Sequence, residues 1–139
     1  MPIVEAKMGT GKWSAGAFQI RNVAMHRYAQ EFHNAALKTG SPLVRAYLLG
    51  HALELYLKVF LLKAGHSTTL LKTKFGHNLV ALLQEGEKHG LGNCVRIPAE
   101  LRADLRLLNN VYSSKSLEYF SVLHLLVTPT LPKLPRMFR

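Results

Sequence analysis

The hydrophobic residues of this chain recur with the period of an α-helix along most of its length. Between residues 18 and 39 one helical stripe carries Phe18, Met25, Phe32 and Ala36. Gly40 ends this helix, and Ser41-Pro42 then supplies a hydroxyl N-cap and a proline at the first helical position. The second helix is predicted from Pro42 to Ala64, with Gly65 as its stop. Because it is apolar nearly all round, we expect it to be the central helix.

Shorter segments follow this central helix. A polar connector over His66–Lys74 leads to a third helix, which begins after Gly76-His77-Asn78 and covers Leu79 to about His89. A fourth helix is predicted from near Pro98, and it loosens at Asn109-Asn110. The hydrophobic run Leu117–Thr128 fits either a strand or a helix.

The whole pattern predicts an all-α fold: an antiparallel bundle of four to five helices with an extended C-terminal tail. We divide the chain into a flexible N-terminal arm over residues 1–16, a helical domain over 17–128 and a proline-rich tail over 129–139. A length of 139 residues fits a single domain.

The net charge of the chain indicates what kind of partner it binds. Eighteen Lys and Arg residues against eight Asp and Glu residues give a formal net charge of +10. Such an excess favours a polyanionic partner such as RNA, DNA or an acidic protein, because anionic groups bind cationic side chains. The alternative is that some of the basic residues only solvate the surface.

Cys94 is the only cysteine, which excludes an intrachain disulfide and a multi-cysteine zinc site. A reducing cytoplasm is the simplest compartment for such a chain. The N-terminus has no apolar signal-peptide core, and the most apolar segment is interrupted by charged residues. We therefore expect a cytoplasmic protein that makes no use of a membrane.

Three polar side chains interrupt the apolar central helix: His51, Glu54 and Lys58. With about 100° per residue, they lie on one side of that helix. If this side is exposed, Glu54 and Lys58 form an ordinary i,i+4 pair. If it is partly buried, the charges need partners, which Tyr112 or a basic residue of the first helix would supply. We predict neither a metal nor a cofactor, because Leu55 stands where a zinc-peptidase pattern requires histidine.

Four segments of the chain together resemble the HEPN domain, the higher-eukaryote-and-prokaryote nucleotide-binding family of small helical bundles. They are Leu-Leu-Gly-His-Ala-Leu-Glu-Leu-Tyr-Leu-Lys at 48–58, Phe-Gly-His-Asn-Leu-Val-Ala-Leu-Leu at 75–83, Leu-Asn-Asn-Val-Tyr at 108–112 and Leu-Glu-Tyr-Phe at 117–120. The resemblance covers roughly Ala35 to Pro135, and the order and spacing of the segments carry it. It implies an antiparallel bundle that pairs as a homodimer. Members usually end in a further helix, which we expect to be absent or truncated here.

Many HEPN proteins are metal-independent ribonucleases or toxins of toxin–antitoxin pairs, with the signature Arg-Asn-x-x-x-His-x-Tyr. Arg21, Asn22, His26 and Tyr28 match that signature. The resemblance implies a catalytic set of Arg21, His26 and Tyr28, in which His26 accepts the proton of a ribose 2′-hydroxyl and Arg21 stabilises the phosphate. Two observations count against cleavage. The motif lies on the first helix instead of a late one, and Arg21 and His26 are about 140° apart on a regular helix.

The sequence therefore favours a HEPN-like binding or accessory module for RNA, nucleotide or an acidic protein, without catalysis. The wall of its site would be formed by His51, Glu54, Lys58, His77 and Tyr112, and His77 is expected to donate to nearby backbone at a helix start. One alternative is an endoribonuclease toxin that uses Arg21 and His26 and is controlled by an antitoxin. Another is a purely protein-interaction domain. The sequence suggests no partner for His66, His89 or His124.

Overall fold

The computed structural model describes residues 15–112, and helices make up most of this part of the chain. Five α-helices follow one another: α1 (Ala15–Lys38), α2 (Pro42–Lys63), α3 (Thr68–Leu70), α4 (Leu79–Lys88) and α5 (Ala99–Tyr112). A π-helical turn, Leu71–Phe75, continues α3, and a 3-10 turn covers Leu91–Asn93. Residues 15–112 contain no strand, which confirms the predicted all-α class.

The predictions for the N-terminal arm up to residue 14, for Leu117–Thr128, for the proline-rich tail and for a final helix lie outside the described residues. The first helix begins at Ala15, earlier than the predicted Phe18. Among the helices of residues 15–112, none is long and apolar enough to cross a membrane.

The helix α2 begins where the sequence predicts, and Ala64 is its C-cap. The Ser41 hydroxyl accepts a hydrogen bond from the Val44 N–H at 3.3 Å, and Pro42 occupies the first turn. At the other end Gly65 has a φ of +107°, a left-handed conformation that glycine adopts without steric strain. The Gly65 N–H donates to Leu62 O at 3.1 Å and the His66 N–H donates to Leu61 O at 3.0 Å, which is a Schellman motif. This motif fixes the backbone of His66 at the end of α2.

The helix α2 packs against α1, α4 and α5, so it is the central helix of the described part. The main hydrophobic core joins side chains of three helices, all fully buried: Leu57 and Leu61 of α2, Leu79 and Leu82 of α4, and Leu108 of α5. Complete burial of one such leucine contributes about 1.5–3 kcal/mol. The core therefore explains why the central helix is apolar on several sides.

The helix α1 packs along α2 through small side chains. Ala29 and Ala36 are fully buried, and Met25 and Phe32 pack at the edge of the core. Small residues at a helix contact allow two backbones to approach closely. Several large apolar side chains of α1 are nevertheless exposed: Phe18, Ile20, Val23, Tyr28 and Leu37.

The segment between α2 and α4 is more regular than the predicted polar connector. The Ser67 hydroxyl accepts a hydrogen bond from the Leu70 N–H at 3.0 Å and caps α3. In the π-helical turn, Leu71 and Phe75 are buried in the core. Two apolar residues four positions apart are too short a repeat to predict a helix from sequence. Gly76, with a φ of +54°, then directs the chain into α4.

Two asparagines join the start of α4 to α5. The Asn78 side chain caps α4 by accepting from the Ala81 N–H at 3.1 Å. Asn109 accepts from the Leu79 N–H at 2.7 Å through Oδ1 and donates to Asn78 Oδ1 at 3.2 Å through Nδ2. The sequence predicts that the fourth helix loosens at Asn109-Asn110, but α5 stays helical through them to Tyr112. The bonds of Asn109 to α4 stabilise this extra turn.

Candidate functional site

The most buried acidic side chain of the described part, Glu54 on α2, accepts hydrogen bonds from three directions. Lys58 Nζ lies 3.2 Å from Glu54 Oε2, while His77 Nδ1 and the Tyr112 hydroxyl lie 2.6 and 3.2 Å from Glu54 Oε1. His51 Nδ1 lies 2.9 Å from the same hydroxyl. We call these five residues, His51, Glu54, Lys58, His77 and Tyr112, the Glu54 cluster. They are the residues that the sequence predicts as the wall of a site.

The direction of each hydrogen bond follows from the ionised carboxylate, which can only accept. The Tyr112 hydroxyl therefore donates its single proton to Glu54. His51 then has to donate its Nδ1 proton to the Tyr112 oxygen. His77 likewise donates from Nδ1 to Glu54. The cluster is thus a continuous chain of donors that ends on one carboxylate.

Three elements bring these side chains together. His51, Glu54 and Lys58 share one face of α2, as their helical spacing predicts, and His77 is held in the turn before α4. Tyr112 comes from the last turn of α5, and its ring packs directly on the backbone of Gly50. A Cβ at Gly50 would lie only 2.7 Å from Tyr112 Cγ, so the ring can reach Glu54 because this position is glycine.

His51 lies among aromatic rings and is half-buried. Its ring meets Phe32 of α1 edge to face at a centroid distance of 4.4 Å and is parallel to the ring of Tyr47 at 6.3 Å. Burial lowers the pKa of His51, and the negative charge of Glu54 only partly opposes this effect. The charges of His77 and Lys58 add to the lowering. His51 is therefore a neutral donor at neutral pH.

This arrangement ties α2, the turn before α4 and the end of α5 to one buried carboxylate. None of the five residues is placed as an activated nucleophile, because each donor is directed to Glu54 or to Tyr112. The side chain of His77 is 42% exposed, so it is the member that a ligand can reach most easily. His77 also differs from its predicted role, since it donates to Glu54 instead of nearby backbone.

The residues of the ribonuclease motif lie on α1, and each of them contacts different side chains. Arg21 donates to Asn22 Oδ1 through Nε and Nη2 at 3.3 and 3.2 Å, and its guanidinium lies 4.9 Å from the centre of the Phe18 ring. His26 meets the ring of Tyr56 edge to face at 5.5 Å. Tyr28 is exposed on the outer face of the helix. A joint catalytic role for Arg21, His26 and Tyr28 stays a prediction.

A second polar cluster lies at the C-terminal end of α2, and sequence reasoning missed it. Glu85 Oε1 on α4 accepts from His66 Nε2 at 3.1 Å and from His89 Nε2 at 3.3 Å. The two imidazole rings meet edge to face at 4.6 Å. The i,i+4 spacing of Glu85 and His89 is visible in the sequence. The contribution of His66 is not, because it lies nineteen positions from Glu85.

No family model, curated protein or solved structure matches this chain. The HEPN resemblance therefore rests on the four sequence segments.

Proposed function

We propose that this chain is a HEPN-like helical module that binds RNA through its phosphate backbone and does not cleave it. One observation carries the proposal: three exposed lysines, the last residue of α2 and two in the connector before α4, form no ion pair among residues 15–112. We call them the connector lysines: Lys63, Lys72 and Lys74. The formal net charge of +10 supports the same conclusion, because a strongly basic chain attracts polyanions.

Most acidic side chains of the described part are already engaged by other cations. The ion pairs are Glu31 with Arg27, Glu54 with Lys58, Glu85 with Lys88, and Glu87 with Arg102. The segment from residue 63 to residue 74 contains no acidic residue at all. Its lysines are exposed and form no ion pair in the described part, and only the charge of Lys74 acts on a more distant carboxylate, that of Glu85. They therefore remain accessible to phosphate.

Arg102 is a basic residue whose charge is compensated within the fold. Its Nη1 and Nη2 donate to the two oxygens of Glu87 at 2.6 and 2.8 Å, which is a bidentate pair. Such a guanidinium has already satisfied its preferred geometry with a carboxylate. Arg102 is therefore less available to phosphate than the connector lysines.

Phosphates suit the connector better than a protein partner does. Protein interfaces usually have an apolar core, whereas the connector exposes only Leu70 as a large hydrophobic side chain. It also exposes Thr68 and Thr69, and threonine hydroxyls commonly bond to phosphate oxygens. We therefore favour RNA over an acidic protein, whose binding is an alternative outcome of the test.

One experiment tests both RNA binding and RNA cleavage. Labelled single-stranded RNA is incubated with the full chain and a chelator at low and high salt, and both retention and RNA length are scored. We expect retention that weakens steeply with salt and no shortening of the RNA. Shortening that disappears in His26→Ala would instead establish the endoribonuclease alternative.

A charge-matched pair of variants locates the binding surface. One variant carries glutamine at the three connector lysines, and its control carries glutamine at three other exposed basic residues without an acidic partner in the described part: Lys38, Arg96 and Arg106. Both lose the same net charge. We expect the connector variant to bind RNA more weakly than the control. Equal losses in the two variants would contradict the placement of the site, and retention of acidic protein but not RNA would contradict the ligand.

A further inference from the structure

We propose that His66, Glu85 and His89 form a binding site for a divalent transition-metal ion, and that zinc is the ion it suits best. The ligand atoms are His66 Nε2, Glu85 Oε1 and His89 Nε2, and all three lie within 4.8 Å of one another. The site is separate from the Glu54 cluster and does not depend on RNA binding.

The distances between these atoms are close to those of a tetrahedral site. Zinc bonds to imidazole nitrogen and carboxylate oxygen are about 2.0–2.1 Å, so neighbouring ligand atoms of a tetrahedron are about 3.3 Å apart. Glu85 Oε1 lies 3.1 Å from His66 Nε2 and 3.3 Å from His89 Nε2. Two of the three edges therefore already have the required length, and the third, between the two nitrogens, is no longer than 4.8 Å.

Each ligand is held by ordered backbone. The Schellman motif that ends α2 fixes His66, and Glu85 and His89 lie four residues apart at the end of α4. His89 is the C-cap of α4, and its N–H donates to Gly86 O at 3.1 Å. The side chains of His66 and Glu85 are only 9% and 13% exposed, whereas that of His89 is 40% exposed. A metal ion can therefore enter from solvent beside His89 while the other two ligands stay in place.

The three ligand atoms favour some metal ions over others. Two imidazole nitrogens and one carboxylate oxygen suit zinc and neighbouring first-row ions, while magnesium and calcium prefer ligand sets made of oxygen alone. Three protein ligands leave at least one coordination position for water. The chemistry of the set thus indicates an open zinc-type site.

Protons and nearby cations compete with a metal at this site. Both histidines donate Nε2 protons to Glu85, and these hydrogen bonds, that of His66 first, lower the pKa of the carboxyl. Lys88 Nζ lies 3.8 Å from Glu85 Oε2, and the charge of Lys74 acts on Glu85 as well. Metal binding requires the tautomers that carry the ring proton on Nδ1, so both hydrogen bonds to Glu85 have to be replaced by bonds to the metal. Removal of Lys88 should strengthen binding.

The test uses the full chain without a histidine tag. Zn²⁺ binding is measured by calorimetry near neutral pH, and Co²⁺ is added in parallel so that its visible absorption reports four-coordinate geometry. We expect one ion per chain and a loss of affinity of about tenfold or more in His89→Gln and in Glu85→Gln. Circular dichroism verifies that both variants remain helical.

Two controls have matched chemistry. His77→Gln removes another half-exposed histidine bonded to a glutamate, and Cys94→Ser removes the exposed thiol. Neither change should alter zinc affinity. Lys88→Met should tighten zinc binding, an effect that misfolding cannot produce.

The proposal is overturned if no ion binds at a ratio of one per chain, if His89→Gln binds zinc as tightly as the natural sequence, or if either control loses binding. RNA retention in chelator reports separately on the RNA proposal. Either proposal can therefore fail without the other.

Discussion

Glu54→Gln removes the negative charge at the centre of the Glu54 cluster while keeping the size of the side chain. Three donors depend on that carboxylate: the Lys58 ammonium, the His77 ring and the Tyr112 hydroxyl. Glutamine offers one oxygen in place of two and adds donors of its own, so it cannot accept all three bonds. We expect the variant to lose stability because buried donors are left without an acceptor.

The expected loss of stability in Glu54→Gln follows from the burial of Glu54 and Lys58. The side chains of Glu54 and Lys58 are 5% and 15% exposed, and breaking a buried ion pair by removing one partner costs about 3–5 kcal/mol. Lys58 and His77 retain some access to water, so part of this cost is recovered. We expect a decrease in the free energy of unfolding of about 2–3 kcal/mol. An exposed i,i+4 pair contributes only about 0.3–0.5 kcal/mol.

The chain supplies a matched control with the same spacing. Arg27 and Glu31 form an i,i+4 pair on α1 whose side chains are 80% and 61% exposed. Glu31→Gln should therefore change stability by no more than about 0.5 kcal/mol. Both variants are measured by urea unfolding, followed through helical circular dichroism. A loss of less than about 0.5 kcal/mol in Glu54→Gln would refute the claim that this cluster is a buried, stabilising network.

Two further predictions concern the same cluster. Gly50→Ala should destabilise the fold by about 1–3 kcal/mol, because the new Cβ would overlap the ring of Tyr112. Gly40→Ala is the control, since no atom lies within 4 Å of the Cβ it would add. Equal stability of the two variants in urea unfolding would contradict the packing of Tyr112 on Gly50. Burial lowers the pKa of His51, so the unfolded chain takes up this proton at a higher pH than the folded chain. The contribution of neutral His51 to the free energy of unfolding is therefore complete above a pH of about 6.5 and is lost as the pH falls below that value. Unfolding measured from about pH 7 to pH 5 should thus show a steeper loss in the natural sequence than in His51→Gln, and equal slopes would contradict the assignment.

Local chemistry accounts for the parts of the fold that the sequence predicts well. Ser41 and Gly65 mark the ends of α2 because capping and left-handed backbone depend on a few neighbouring residues. The helical period also places His51, Glu54 and Lys58 on one face. The apolar surroundings of that face imply that Glu54 needs a partner, and Tyr112 is one of the two partners the sequence suggests. The other, a basic residue of the first helix, is not among the hydrogen-bonded partners of Glu54 in the described part.

The remaining contacts depend on how the helices pack, which hydrophobic periodicity does not specify. His77 reaches Glu54 because the turn at Gly76 directs it toward α2. His66 meets Glu85 because the end of α2 lies beside α4. Asn109 keeps α5 helical through a bond to a residue thirty positions away. Each contact joins residues that are distant in sequence, so no local pattern predicts it.

The most direct test of RNA binding by the connector lysines is a titration of labelled single-stranded RNA over a series of salt concentrations. Fluorescence anisotropy is recorded in chelator for the natural sequence and for the variant with glutamine at Lys63, Lys72 and Lys74. For a single strand, each neutralised phosphate contributes about 0.7 to the slope of log affinity against log salt. We expect salt-dependent binding whose slope falls by about 2 in the variant. Absence of binding, or the same slope in both proteins, would contradict it.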